Sequence, residues 1–183
     1  SQAGTYTVRY SIFGYESNTV QGTLNNGVLE LVDVQLEPLA VYAVAGTTVE
    51  DGNGQTIPGA RVILKGDEVQ YASITDLQGQ FSMQNIVEST YDVYALAWGY
   101  LHKVLENVTI NGNQSFTIEL IRGYQDDFLI DLGWETDAAD ETTSGFWVLG
   151  EPIGTYVNSS TAANPEFDID GDLGENCYMT GNG

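Results

Sequence analysis

Residues 5–15 read TYTVRYSIFGY, and residues 90–100 read TYDVYALAWGY. In the first stretch Tyr6, Val8, Tyr10 and Ile12 fall on one face of an extended chain, and Thr7, Arg9 and Ser11 fall on the other, because successive side chains of a strand point to opposite sides. Strict alternation of this kind predicts a half-buried strand. Phe116, Ile118 and Leu120 alternate with Ser115, Thr117 and Glu119 in the same way, and the pairs Val62/Leu64 and Phe81/Met83 mark further half-buried strands. No window carries a 3.6-residue period. The chain has 21 glycines, and Asn26-Gly27, Asp51-Gly52, Asn53-Gly54, Pro58-Gly59 and Asn111-Gly112 punctuate it as turns. The chain is therefore expected to be all-β.

The two quoted stretches are related by a shift of 85 residues. The same shift lays Asn26-Gly27 on Asn111-Gly112, and a one-residue gap then aligns VDVQLEPL (32–39) with FTIELIRG (116–123). Residues 1–38 are thus expected to be the C-terminal half of a β-sandwich repeat whose complete copy spans 39–124. A period this long means domains in series, since solenoid units run to roughly 20–50 residues. Half a sandwich cannot bury its own apolar face, so strands are expected from elsewhere. They could lie upstream in a longer polypeptide, or come from another copy by β-augmentation. A head-to-tail contact between copies need not close, and an unclosed heterologous contact grows into a filament.

Residues 126–183 contain no lysine or arginine and hold 13 of the 26 acidic residues. Residues 125–183 are expected to form a separate acidic β module, ending incomplete just after the strand-like patch Cys177-Tyr178-Met179.

Composition removes whole classes of function. The chain has 183 residues, 26 acidic against 5 Lys and Arg, and a net charge of −21. Nucleic acid is a poor partner for such a surface, because phosphate binding needs cations that displace counterions. Anionic membrane surfaces are disfavoured for the same reason. No apolar run approaches the roughly 20 residues that span a bilayer, so membrane insertion is not expected. With 42% hydrophobic residues and 11% aromatics the chain is still rich enough to fold. His102 is the only histidine and Cys177 the only cysteine. One copy therefore holds no His/Cys zinc cluster, disulfide or redox pair, and nothing around His102 resembles a nucleophile motif. Carboxylate pairs such as Glu135/Asp137 or Asp140/Glu141 are what any acidic chain offers, so no enzyme is expected. Ser1 is not followed by a basic and then an apolar leader, so any signal peptide is expected to have been removed or to lie outside this chain.

Residues 44–100 carry a set of turns with a shared logic. A strand ends in Glu50-Asp51-Gly52, and Ile57-Pro58-Gly59-Ala60-Arg61-Val62 follows. Next come Thr75-Asp76-Leu77-Gln78-Gly79-Gln80-Phe81, and the closing Tyr91, Gly99 and Tyr100. Pro58 presets φ and Gly59 takes the positive-φ position after it. Asp76 can bond back onto a turn that Gly79 closes, returning Phe81 to the core. In this combination the stretch resembles the carboxypeptidase regulatory-like domain. The resemblance implies a transthyretin-like seven-stranded sandwich, common in secreted and surface bacterial proteins, acting as an accessory or scaffold module. The zinc ligands of the peptidase for which the family is named sit in another domain, and nothing here matches them. Residues 128–155 resemble the opening of a jelly-roll module that often follows such domains.

Candidate sites lie mostly in the acidic segment. Asp168, Asp170 and Asp172, with Glu175, place oxygen ligands at alternate positions around Gly171, an arrangement that can wrap Ca2+. It is not an EF-hand, since Met179 stands at the twelfth position, and a solvated acidic loop is the plainer alternative. Asp126, Asp127 and Asp131 could join a second ion site or be solvated linker charges. Trp98, Trp134 and Trp147 could stack on sugars or serve as packing. Trp98, out of phase with Tyr91 and Val93 and matching Phe13 in the repeat, is expected to be exposed. His102 is expected on a solvated strand. Lys65 and Lys103 do not match the positions needed for an isopeptide crosslink. Asn107, Asn113 and Asn158 begin glycosylation sequons.

The expected function is a non-enzymatic extracellular or cell-surface structural and adhesive protein, partnered by other copies of itself or by neighbouring domains. The alternative is an accessory carbohydrate- or surface-binding module of a larger secreted hydrolase.

Overall fold

The structure is a computed structural model that describes residues 3–26, 28–30, 33–130, 132–136, 145–169 and 173–180. It is all-β. It divides into two compact units, Ser1–Leu96 with Lys103–Ile121, and Ala97–His102 with Arg122–Gly183. No helix among the described residues is long and apolar enough to cross a membrane.

The described residues of the first unit form ten strands: β1 (Gly4–Tyr10), β2 (Asn18–Asn25), β3 (Val28–Glu30), β4 (Val41–Glu50), β5 (Arg61–Lys65), β6 (Gln70–Ile74), β7 (Gln80–Val87), β8 (Ser89–Leu96), β9 (Lys103–Ile110) and β10 (Gln114–Leu120). The last seven form two sheets, in the orders β10-β4-β7 and β6-β5-β8-β9. The core lies among Val44, Val62, Leu64, Phe81, Ile86, Tyr91, Val93, Ile118 and Leu120, all buried. The expected seven-stranded sandwich is present.

The turns follow the expected chemistry. The Asp76 carboxylate accepts from the backbone N–H groups of Gln78 and Gln80 at 2.9 and 2.8 Å. Gly79 sits at φ +71° and Gly59 at φ +75°, a region where a Cβ is strained. Thr48 and Thr75, both buried, donate their hydroxyls to the Ile57 carbonyl at 2.8 Å each, so the polar groups of that loop are satisfied inside the core. One expectation is refined. β5, between β6 and β8 in its sheet, does not alternate between core and solvent: Val62, Ile63 and Leu64 are all buried, so side chains on both of its faces are covered.

β1, β2 and β3 form a three-stranded antiparallel sheet of their own. The turn after β1 reproduces the turn after β8, although β1–β2 pairs without the register shift found in β8–β9. Gly14 and Gly99 have φ +85° and +83°. The Tyr15 N–H donates to Ile12 O at 3.3 Å, and the Tyr100 N–H to Ala97 O at 3.1 Å. The Leu39 N–H reaches Gly14 O at 2.8 Å, and the Gly123 N–H reaches Gly99 O at 3.1 Å. Tyr15 bridges Pro38 as Tyr100 bridges Arg122. These later pairs carry the one-residue gap seen in the sequence.

The two copies part at their last strand. β10 leaves its neighbour β9 and pairs in parallel with β4, whereas β3 folds back antiparallel onto β2. β3 pairs with β2 at Thr23–Glu30, Leu24–Leu29 and Asn25–Val28.

The second unit holds β11 (Trp147–Gly150), β12 (Thr155–Asn158), β13 (Thr161–Asn164) and β14 (Cys177–Thr180), paired β11-β14 and β12-β13, both antiparallel.

Candidate functional site

The second unit concentrates exposed aromatic surface. Trp98, Trp134 and Trp147 are 58%, 53% and 56% exposed. Antiparallel pairing sets Leu149 opposite Tyr178. Trp147 lies two residues along β11, so Trp147, Leu149 and Tyr178 share one face of the β11–β14 pair. Trp134 and Glu135 lie beside them. Together these residues line an open cleft of about 480 Å³.

Trp134 is held from several directions. Its indole N–H donates to the Asp126 carboxylate. The other oxygen of Asp126 accepts from the Phe128 N–H at 2.9 Å, a local Asx turn that fixes the carboxylate. The Tyr178 hydroxyl donates to the Trp134 carbonyl at 3.1 Å, tying the two residues together. The Trp98 ring meets Trp134 edge-on at 5.9 Å, and meets Tyr124 at the same separation. Phe128 supports Tyr178 edge-on at 5.3 Å. Such edge-to-face contacts are favoured by the ring quadrupoles.

Beside this cluster His102 and Asp127 are buried, which corrects both expectations. His102 is not on a solvated strand: its side chain is only 2% exposed, and Nδ1 lies 3.0 Å from the Asp127 carboxylate. Asp127 is not a solvated linker charge either; it is buried and also accepts from Gln125 Nε2 at 3.2 Å. The reason is local. Tyr100 closes a turn onto Ala97, and the bridge from Tyr100 to Arg122 draws residues 97–102 in with the 122–130 segment, so Asp127 partners Nδ1 of His102, while the buried Nε2 has no hydrogen-bond partner among the described residues. Asp126 caps an indole, and Asp131 lies outside the described residues.

Of the expected calcium loop, Asp168 is half-buried and Glu175 is exposed, but Asp170 and Asp172 lie outside the described residues. No group of three or more metal-ligating side chains occurs among the described residues. Glu135 is exposed on the cleft, whereas Asp137, Asp140 and Glu141 lie outside the described residues. Lys65 and Lys103 are exposed. So are Asn107, Asn113 and Asn158, the residues that would carry glycans. Cys177 is a free thiol.

The three tryptophans singled out in the sequence therefore fall in one unit, two on the cleft and the third against Trp134. Tyr124 and Tyr178 were missed. Tyr178 read as one residue of an apolar strand, and only the pairing of β14 with β11 shows it facing Trp147's side. Tyr124 follows the Arg122-Gly123 turn, where no periodicity assigns a face.

Comparison with known proteins matches residues 43–121 to the carboxypeptidase regulatory-like domain. Bacillopeptidase F of Bacillus subtilis is 25% identical over 99 residues, covering 54% of this chain. The match spans only 7% of that protein's length. Among solved structures, a putative carbohydrate binding protein from Bacteroides uniformis is 13% identical, with a TM-score of 0.40, and 44% of this chain and 41% of that one are covered. A type II cohesin–X-dockerin complex from Acetivibrio cellulolyticus is 20% identical at a TM-score of 0.39, covering 45% of this chain and 58% of that one. The major pilin subunit BcpA of Bacillus cereus is 13% identical at a TM-score of 0.38, covering 67% and 40%. The seven strands β4 to β10 and the Pro58-Gly59 and Asp76–Gly79 turns lie on the residues that match the carboxypeptidase regulatory-like family model.

Proposed function

We propose that this chain is a non-catalytic, extracellular or surface-displayed β-sandwich segment with a structural and adhesive role, completed by strands from another copy of itself. One observation carries the reading: β1–β3 repeat the turn geometry of the β8–β10 region, but keep their apolar face in solvent. Tyr91, Val93 and Ala95 of β8 are buried, while Tyr6 and Ile12 are exposed and Val8 and Tyr10 are half-buried. β8 is flanked by β5 and β9, whereas β1 is the edge strand of its sheet. An exposed apolar edge is a template for strand addition. A heterologous contact of this type need not close, and an unclosed one propagates as a filament. The regulatory-like domain supports a spacing role, since its core is filled by packing side chains.

Sedimentation velocity and electron microscopy of the full chain, against Val8→Lys and a chain lacking residues 1–38, test this. Concentration-dependent assembly that both changes abolish supports strand donation. A full chain that stays monomeric at high concentration, or a truncated chain that still assembles, overturns it.

A second reading is an accessory binding module of a larger secreted hydrolase. The aromatic cleft of the second unit favours it. The likeness to about a hundred residues of a much longer protein named as a peptidase supports the same reading.

A further inference from the structure

Building on the accessory-module reading, the geometry points to the Trp134–Trp147 cleft as a binding site for a neutral glycan chain. Three features select that ligand class. The two indoles are more than half exposed, a large apolar area to leave in water without a function. They are also ordered before any ligand arrives. Trp134 is held through its N–H by Asp126, through its carbonyl by Tyr178 and on its ring by Trp98, and Trp147 is carried on the β11–β14 pair. A preorganised aromatic platform keeps more of its contact energy on binding. A pyranose ring meets such a platform well: its C–H face is apolar and slightly positive, and the indole face is negative.

The second feature is the polar group at hand. Glu135 is an exposed carboxylate on the cleft, an acceptor for sugar hydroxyls. The third is charge. No lysine or arginine occurs after Arg122 and none lines the cleft, so its lining offers no cation to a uronic acid, sulfate or phosphate. The lining therefore favours neutral glycans over anionic ones. A quaternary ammonium group would also suit aromatic rings beside carboxylates. It is best held by rings that converge around it, however, whereas this cleft is open.

The test uses the full chain, with tryptophan fluorescence and affinity electrophoresis against cellohexaose, chitohexaose, mannohexaose and hydroxyethylcellulose. Choline serves as the cationic probe. Binding to at least one neutral glycan is expected, weakened about tenfold or more by Trp134→Ala or Trp147→Ala, the size of loss usual for an aromatic anchor. Trp147→Phe, which keeps the apolar contacts of β11 and shrinks the platform, is expected to lose less and to melt as the parent does. Ile74→Ala, in the first unit, is expected to bind normally. Glycan binding that survives both alanine changes overturns the site while leaving the accessory-module reading intact. Binding to none of the glycans overturns both. Choline binding that depends on Trp147, without glycan binding, overturns the ligand class alone.

Discussion

Tyr6 and Tyr91 occupy the same position of an 85-residue repeat, yet Tyr91 is 1% exposed and Tyr6 is 44% exposed. Each opens a strand with the same Thr-Tyr-x-Val start. What separates them is the sheet opposite: β4, β7 and β10 face the β8 side of the sandwich, and the described residues provide no such sheet over β1.

The consequence is a difference in what each ring contributes. Tyr91→Ala should cost roughly 3–5 kcal/mol, as large aromatic truncations in cores do. It would also remove a hydroxyl that donates to Val87 O at 2.7 Å. Tyr6→Ala should change the stability of the monomer by no more than about 0.5 kcal/mol. Urea unfolding of both variants at one dilute concentration checks the pair. Equal effects would show that the β1 face is covered in solution.

Alkaline pH should destabilise the sandwich. Burial first, and then the neighbouring Tyr71, raises the Tyr91 phenol above its usual value, and burial with Asp92 and Glu106 raises Tyr94. A phenol whose folded pKa is raised binds its proton more tightly in the folded state. Its contribution is full below the unfolded value of about 10 and is lost as pH climbs beyond it. The slope contributed by Tyr91 should approach about 1.4 kcal/mol per pH unit in that range. Melting temperature followed from pH 8 to 11.5 should fall more gently for Tyr91→Phe than for the parent, and parallel curves would refute the assignment.

Removing the imidazole of His102 leaves the buried Asp127 carboxylate with Gln125 as its side-chain partner. His102→Ala should therefore cost about 1–3 kcal/mol, the usual penalty for orphaning a buried polar group. The loss should register in the second unit, through the fluorescence of Trp98 and Trp134, before the far-UV signal of the sandwich changes. A variant with unaltered unfolding would mean that solvent replaces the imidazole freely.

Gly46 lies where β4 passes closest to its neighbours. An added Cβ would meet the Phe116 carbonyl oxygen and come within 2.7 Å of the Phe81 ring. Gly46→Ala should lower stability by about 1–3 kcal/mol through overpacking. Gly112→Ala, with nothing within 4 Å of the added atom, is the control. The comparison fails if both shift the melting temperature alike.

Asp168, Asp170, Asp172 and Glu175 are proposed as a calcium loop, because a dication would offset like charge in a chain of net charge −21. Chelation should then lower the melting temperature by several degrees, and Asp170→Ala should remove most of that response. Identical melting with chelator and with millimolar calcium would reduce the loop to a charged turn.

Local rules carried the sequence a long way. Alternation at Tyr91, Val93 and Ala95, glycine at positions 59, 79 and 99, and the carboxylate of Asp76 each act through near neighbours, so strands and turns could be read without a structure. The repeat was legible for the same reason, since its glycines and tyrosines recur at one spacing. Long-range pairing was not. Whether the last strand of a copy crosses to join β4, as β10 does, or folds back, as β3 does, depends on what backbone is available to pair with it. The burial of His102 against Asp127, 25 positions along the chain, likewise depends on a bridge between Tyr100 and Arg122. The sequence by itself determined strands, turns and the aromatic content of the acidic segment. Only the tertiary structure decided which faces are covered and that Trp134, Trp147 and Tyr178 share a cleft, because burial and convergence belong to pairs of segments and are not encoded in either alone.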